Sequence, residues 1–361
     1  MPPVPPAPSA DQILATELGD PDGGNANYWF SNTAILSVEH LDADEVVKSA
    51  DFDADLKDTL DRLGLEPGML ENVAGIKERR WFGVDTTFSE AAAQAGALAL
   101  TSAGISADQI GLLIDTSVCR ERLEPSSAVF VHDALGLPTN CLNFDLSNAC
   151  LGFVNGMQLA GMMIESGQID FALIVDAEGS RTVQERTIAR LQSPETTAAD
   201  IFSDFATLTL GSGAAAMVLG RLDARPDGHR IVGGVGRAAT EHHDLCKGDL
   251  ERMTTDTRAL LLAGLDVAEV TMNDARNHFE WTDMDHYILH QISTVHCDAL
   301  IDRLGIEGER VPRSFPMRGN IGPAAIPITL SLHQDQISPG ERVLLMGMGS
   351  GINAAAVEIV W

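Results

Sequence analysis

A strand that is apolar on both faces has to be covered on both faces, and residues 109–117 (QIGLLIDTS) form such a strand. Residues 170–176 (DFALIVD) are a second and 142–146 (LNFDL) a shorter third. Runs of this kind belong inside a parallel sheet with helices on each side, because a sheet exposed on one face would alternate apolar and polar residues. Helical segments lie between them: 41–63 is amphipathic, 88–103 is rich in small residues, and 151–164 runs on to a capping Gly167. Residues 33–39 alternate as a first strand, 205–220 read as a strand pair around glycines, and 181–203 read as a charged surface excursion. The pattern then repeats. A helix over 254–270, a strand over 286–290, helices over 293–304 and 322–334 and a closing strand pair over 342–347 and 354–361 echo the first half. The fold class is therefore α/β, two comparable halves with helices between and outside sheets. With 361 residues the chain can bury a core for each half. A polar link over 221–228 divides them, which gives an arm over 1–30, an N-terminal half over 31–222 and a C-terminal half over 223–361.

Charge narrows the partners. The formal net charge is −28 and the lysines are Lys48, Lys57, Lys77 and Lys247, so nucleic acid is excluded as a partner and an anionic ligand needs a local basic patch. The most basic stretch of the first third is 75–82 (GIKERRWF), where Arg79 and Arg80 could anchor phosphate and Trp81 could stack on a base or cover an apolar channel. The same residues would also serve a solvated turn with a satisfied ion pair. Five scattered cysteines with no paired spacing, and the absence of a secretory pattern, predict a reducing cytoplasm. No apolar run is long enough to span a bilayer.

Several patterns resemble sites without being complete. His286 and His290 have the spacing of a zinc helix, but Tyr287 stands where that motif needs its glutamate. His242, His243 and Cys246 lack a second cluster and read as a surface loop. Gly234-x-Gly236-x-x-Ala239 and Gly211-x-Gly213-x-x-Ala216 match a dinucleotide fingerprint only formally, since neither opens a long helix, and both read as sheet glycines.

The stretch that carries chemistry is 142–156 (LNFDLSNACLGFVNG), in which a strand meets a small-residue elbow with Cys150 on it and then a helix. A thiol at a helix N-terminus gains thiolate character from the dipole and the unpaired N–H groups, and free cysteines elsewhere are simply small buried hydrophobes. His290 ends an apolar strand, and Asn320 sits in a turn, RGNIGP, that leads into a small-residue helix. Either could be a satisfied polar group. Beside a cysteine they would form a nucleophile with an oxyanion-stabilising pair. Glu124, before Pro125, could complement the helix that follows it.

These motifs together resemble a known family. SNACLGFVNG around Cys150, YILHQ around His290, RGNIG around Asn320 and GMGSGIN near the end are similar to the Cys-His-Asn condensing enzymes of the thiolase fold, and GIKERRW is similar to ketoacyl carrier-protein synthase III. TSVCRERLEPS, FDLSNACLGFVNG and DAEGSR resemble more narrowly the OleA-type acyl-CoA thiolases of olefin and β-lactone biosynthesis. The resemblance implies a layered α-β-α-β-α architecture and a non-decarboxylative Claisen condensation of two fatty acyl-CoA molecules through acyl-Cys150. It implies an oxyanion hole from the backbone N–H of Cys150 and the Ser350–Gly351 turn, with His290 and Asn320 as enolate donors. Glu124 would be the base, delivered across a homodimer interface. CoA phosphates could meet Arg79, Arg80 or Arg120, no cofactor is implied, and downstream pathway enzymes are possible partners. Two alternatives stand beside this: decarboxylative condensation with a malonyl thioester, which needs no base, and a non-catalytic partner subunit. An acidic surface disfavours docking of an acidic carrier protein.

Overall fold

The computed structural model describes residues 27–249 and 252–361. Its sheet has ten strands: β1 (Asn27–Trp29), β2 (Thr33–Asp42), β3 (Leu112–Asp115), β4 (Leu142–Asp145), β5 (Phe171–Glu178), β6 (Gly213–Arg221), β7 (His229–Ala238), β8 (His286–Leu289), β9 (Arg342–Gly349) and β10 (Asn353–Val360). The order is β8-β9-β10-β7-β2-β6-β5-β3-β4, with β1 also on β7. Strand directions repeat across it. In one half β3 runs parallel to β5, which is followed by antiparallel β6 and β2. In the other, β8 runs parallel to β9, which is followed by antiparallel β10 and β7. Among the described residues β2 joins β7 through two residue pairs, Ala34 with Arg230 and Ile35 with His229.

Six helices complete the layers: α1 (Phe88–Ala103), α2 (Ser127–Ala134), α3 (Gly152–Glu165), α4 (Thr257–Ala275), α5 (Thr294–Leu304) and α6 (Ala325–His333). The largest core cluster holds Phe153, Met157 and Ile164 from α3 and Ile326 and Leu330 from α6. Against them lie Ile114, Ile174 and Leu219 of one half and Ile288, Leu345 and Val357 of the other. Helices α3 and α6 are thus the shared middle layer. Helix α1 packs on the outer face of the first half through Ala91, Ala95 and Ala99, and α4 and α5 cover the second through Met272 and Ile301. The thiolase-like α-β-α-β-α layering is present. Small residues on α1 let its backbone lie close to the sheet: a Cβ at Gly96 would meet Leu173 and Val175 at 3.4 Å.

Four elements differ from the sequence expectation. Residues 41–63 are the end of β2, a strand Glu45–Lys48 paired with Glu78–Trp81, and two short helices, Ser49–Asp55 and Lys57–Leu63. The 181–203 excursion is helical, Arg181–Leu191 followed by a helix Ala198–Leu208. The first hides Gln184, Thr187, Ile188 and Leu191, a helical spacing disguised by two polar members. That second helix also takes the first part of the expected strand pair over 205–220, leaving β6 alone. Strand β7 is masked in the sequence by Gly233 and Gly234, where a Cβ would lie 2.3 Å from the Tyr28 carbonyl oxygen and 2.5 Å from the Tyr28 hydroxyl. Of the arm over 1–30, residues 1–26 lie outside the described residues, and 27–30 belong to the sheet: β1 pairs with β7, and Phe30 N–H donates to Val232 O at 2.9 Å.

Candidate active site

Strands β3, β4 and β5 form one parallel set and β8 and β9 another, and Cys150, His290 and the Ser350–Gly351 turn stand just beyond the C-terminal ends of these strands, where an α/β sheet presents chemistry. Cys150 stands five residues beyond the end of β4. Ala149, at φ 45°, takes the left-handed conformation that turns the elbow, and α3 begins two residues after the cysteine, at Gly152. Asn148 fixes this elbow, donating from Nδ2 to Asn155 Oδ1 at 2.7 Å and accepting from Asn353 Nδ2 at 3.0 Å. Those amides tie the nucleophile's turn to the helix behind it and to the start of β10. At the same point β9 comes so close that a Cβ on Gly349 would lie 2.7 Å from Asn148 O, so the 347–351 glycines are a steric requirement of the site. The Ser350–Gly351 turn follows directly.

His290 leaves β8 beside β9, its N–H donating to Met346 O at 2.8 Å. His290 is 8% exposed, and its Nδ1 is buried without a hydrogen-bond partner. Burial, helped by nearby His296, lowers its pKa to about 4, so the imidazole is neutral at neutral pH. It lines an apolar cavity of about 60 Å³ between α4, α5 and the β9–β10 pair, with Leu261, Leu265, Leu300 and Met348 in its walls. Asn320 is held by backbone bonds on both sides, N–H to Thr209 O at 2.9 Å and O from Gly211 N–H at 2.9 Å. Its Oδ1 accepts from Gly322 N–H at 3.0 Å, which orients Nδ2 as the outward donor.

The thiol does not behave as its helix position alone predicts. Burial, and after it the charge of Glu178, pushes the Cys150 pKa up to about 12. Cys150 precedes the first helical residue, and removal from water together with a neighbouring carboxylate outweighs the dipole. The thiol is therefore the resting form and must surrender its proton during attack. Cys246, at one end of a small hairpin (Cys246–Gly248 with Met253–Thr255), also raises it. The sequence had placed Cys246 in a remote surface loop.

Two residues were not legible as site groups. Glu178, at the end of β5, is buried and accepts from Val118 N–H at 2.6 Å and Cys119 N–H at 3.3 Å. Its carboxyl lies 3.5 Å from where a Cβ of Gly322 would be, against the turn that carries Asn320. Asp145 accepts from Ser127 N–H at 3.0 Å and Ala128 N–H at 2.9 Å, and thus performs the helix-capping role considered for Glu124. Glu124 itself is exposed. Around it and along the neighbouring edge strand stand Val118, Leu123, Val129, Phe130 and Leu142, all exposed, with Leu123 at 88%.

The basic patch needs correction. Arg79 is fully buried, donating to Ser49 Oγ and Leu208 O at 3.0 Å each with its guanidinium over Phe52, so it is a core residue out of reach of a ligand phosphate. Arg80, 3.9 Å from Asp42, and Arg120, 3.6 Å from Asp145, retain partial exposure. Trp81 donates to Gln184 Oε1 at 2.7 Å and packs on Phe52 rather than standing free. Among the described residues no group of three or more His, Cys, Asp and Glu could hold a metal ion, and no helix is long and apolar enough to cross a membrane.

Comparison with known proteins supplies an independent line. The 3-oxoacyl-[acyl-carrier-protein] synthase III family matches residues 144–234, and its C-terminal counterpart matches 275–361. The acyl-CoA:acyl-CoA alkyltransferase of Xanthomonas campestris pv. campestris is 44% identical over 336 residues, covering 92% of this chain and 99% of that protein. The enzyme of the same description from Shewanella oneidensis is 30% identical over 348 residues, with the same coverage. Crystal structures of a cysteine-to-serine variant of X. campestris OleA with bound lauric acid and lauroyl-CoA include one that matches with a TM-score of 0.90 at 43% identity, covering 92% of this chain and all of that one. A cerulenin-bound OleA matches at 0.91, again at 43% identity, covering 92% of this chain and 98% of that one.

Proposed function

We infer the activity of this chain from the family to which it belongs, the OleA-type acyl-CoA:acyl-CoA alkyltransferases, a branch of the condensing enzymes related to 3-oxoacyl-[acyl-carrier-protein] synthase III. It joins two fatty acyl-CoA molecules head to head by non-decarboxylative Claisen condensation, giving a β-ketoacyl product. Its substrates are CoA thioesters, and it uses no cofactor of its own. The observation that carries this reading is the 44% identity to such an enzyme over 92% of the chain, and Cys150, neutral His290 and Asn320 are the residues proposed to do the chemistry.

In the first half-reaction the Cys150 sulfur attacks the thioester carbonyl. The thiol proton passes to neutral His290, the developing oxyanion is held by N–H groups of Cys150 and the Ser350–Gly351 turn, and the proton then leaves with CoA as its thiol. In the second, a base removes a proton from the carbon next to the carbonyl of another acyl-CoA, and His290 and Asn320 donate to the enolate oxygen. The carbanion attacks acyl-Cys150, and the thiol is regenerated. Glu124 is the proposed base. Its exposure among apolar side chains, on a face whose edge strand β4 has no outer neighbour among the described residues, fits a homodimer that carries the glutamate into the partner's site. The solved OleA variants replace a cysteine, a histidine and a glutamate, the residue types assigned here. Arg80 and Arg120 are the proposed CoA contacts, and the apolar cavity beside His290 suits alkyl chain. Olefin or β-lactone formation would follow through downstream enzymes.

Purified protein given myristoyl-CoA alone tests this. Free thiol release with a doubled β-ketoacyl product or its ketone, abolished in Cys150→Ala and Glu124→Ala, is expected. A stable acyl-Cys150 that turns over only when a malonyl thioester is added would assign the chain to decarboxylative condensation instead.

A further inference from the structure

Between β3 and α2 the chain makes an eleven-residue excursion, 116–126, that carries Glu124 at its far end. Its first part is sewn to β5. Thr116 N–H donates to Val175 O at 2.9 Å and Thr116 Oγ1 to Asp176 Oδ2 at 2.6 Å, while Ser117 Oγ accepts from Ala177 N–H at 2.9 Å. The last of these attachments is Glu178, whose two carboxylate oxygens take the N–H groups of Val118 and Cys119. Cys119 Sγ–H adds a bond to Gly179 O at 3.4 Å. Beyond Cys119 the loop leaves β5: Glu121 caps the start of α1 at Ser89, Arg122 lies over Phe130, and Leu123 and Glu124 project into solvent. Glu178 therefore stands where the fixed stem of the loop gives way to its tip. The same carboxyl group abuts Gly322, next to the Asn320 turn, and exerts the largest charge effect on Cys150.

We propose that Glu178 is a positioning residue for the condensation, linking the stem of the Glu124 loop to the nucleophile's pocket so that one carboxylate governs both where the base is carried and how reactive the Cys150 thiol is. The loop half of this rests on Glu124 as the base; the thiol half does not. A buried carboxylate that takes two backbone N–H bonds keeps its charge only by means of those bonds, so the charge and the loop's anchorage stand or fall together. That charge opposes the Cys150 thiolate, which keeps the thiol quiescent until a thioester is there to accept the sulfur. Burial raises the Glu178 pKa to about 7, so both effects respond to pH in the neutral range. The titratable groups that bear on it are Asp176 on its own strand, Asp115 on β3, Cys119 on the loop and Cys150 on the elbow; the Asn320–Gly322 turn brings no charge.

The test compares the full-length protein with Glu178→Gln and Glu178→Asp. Carbamidomethylation of Cys150 by iodoacetamide, followed from pH 6 to 10 by mass of the Cys150 peptide, needs no acyl-CoA and so reads the thiol half even if the condensation reading fails. Labelling of Glu178→Gln about tenfold faster than wild type, one unit of thiol acidity, is expected at pH 8 and above, where the wild-type carboxyl is charged, and the difference should narrow towards pH 6 as that carboxyl takes up its proton. Glu178→Asp, which keeps the charge, should label like wild type. With myristoyl-CoA, Glu178→Gln should lose at least about tenfold in kcat with KM within about twofold, and Glu178→Asp should recover part of that loss. Superimposable labelling profiles for wild type and Glu178→Gln would overturn the proposal, as would equal kcat losses in the two variants. Should Glu178→Gln not fold, Glu178→Asp decides alone: wild-type labelling with kcat lowered less than tenfold supports the proposal, and any acceleration of labelling overturns it.

Discussion

At Cys150 two electrostatic influences oppose one another, and their relative size could not be read from residue order. The helix dipole acts within about one turn and contributes roughly 0.3–1 kcal/mol, whereas burial beside a carboxylate shifts an acid by units. The sequence therefore proposes Cys150, His290 and Asn320 as the chemical residues but has the sign of the thiol's shift reversed. Arg79 was misjudged for a similar reason, since a basic triplet does not reveal that its first arginine is spent on Ser49 and Leu208, 30 and 129 residues away. Glu178 lay inside a quoted motif, yet its role depends on N–H groups 60 residues upstream. Its raised pKa has a second consequence. A carboxyl group with a raised folded pKa contributes stability that is fully present below the unfolded value, near 4.5, and is lost as pH rises through about 7. Glutamine does not titrate, so the melting temperature of Glu178→Gln relative to wild type should climb between pH 5 and pH 8, by the equivalent of at most about 3 kcal/mol. Calorimetry at those two pH values checks it; a constant difference would mean that the carboxyl is not buried in solution.

Elements were legible where periodicity was clean and obscure where it was interrupted. The apolar runs at 109–117 and 170–176 became β3 and β5 because full burial leaves no alternation to misread. Gly234 and Gly236 read correctly as sheet glycines, though the glycines hid the bounds of β7, and the helix Arg181–Leu191 was missed because its inward face is half polar. The glycine at 211 shows how much one connection can carry. Read in the sequence as a sheet glycine, it lies outside β6, in the crossing where Asn320 is clasped between Thr209 and Gly211, and a Cβ there would sit 1.8 Å from the Arg318 carbonyl oxygen. A backbone atom cannot swing aside as a side-chain tip can. Gly211→Ala should therefore push the 318–320 turn outward, costing about 2–4 kcal/mol in denaturant unfolding and lowering condensation at least tenfold, while thiol labelling of Cys150 changes much less. Loss of labelling to the same extent would place the damage in the elbow rather than in the Asn320 turn.

For the molecule as a whole, the formal charge of −28 sets the background against which each local site works. Arginines are committed to acidic partners across the surface, as in Arg318 with Asp42, Arg190 and Arg252 with Asp204, and Arg303 with Asp266 and Glu269. The excess carboxylates repel one another, and salt screens that repulsion over a Debye length that falls from about 30 Å at 0.01 M to about 10 Å at 0.1 M. The melting temperature should rise by several degrees over that range, measured by scanning calorimetry at fixed pH; a fall would mean that the ion pairs, and not the repulsion, dominate. CoA association should slow over the same range only if Arg80 and Arg120 steer it.

The amide relay from Asn353 through Asn148 to Asn155 also has a temporal meaning. A ribosome makes the cysteine's elbow some two hundred residues before the asparagine that braces it, and domains fold as their sequence emerges. A nascent chain whose translation has passed the first half thus displays a thiol without its brace, its histidine or its closing turn. By the proposed mechanism such a chain cannot complete a condensation, and competence arrives only when the second half has been read out and docked; until then its thiol also lacks the burial that keeps it protonated.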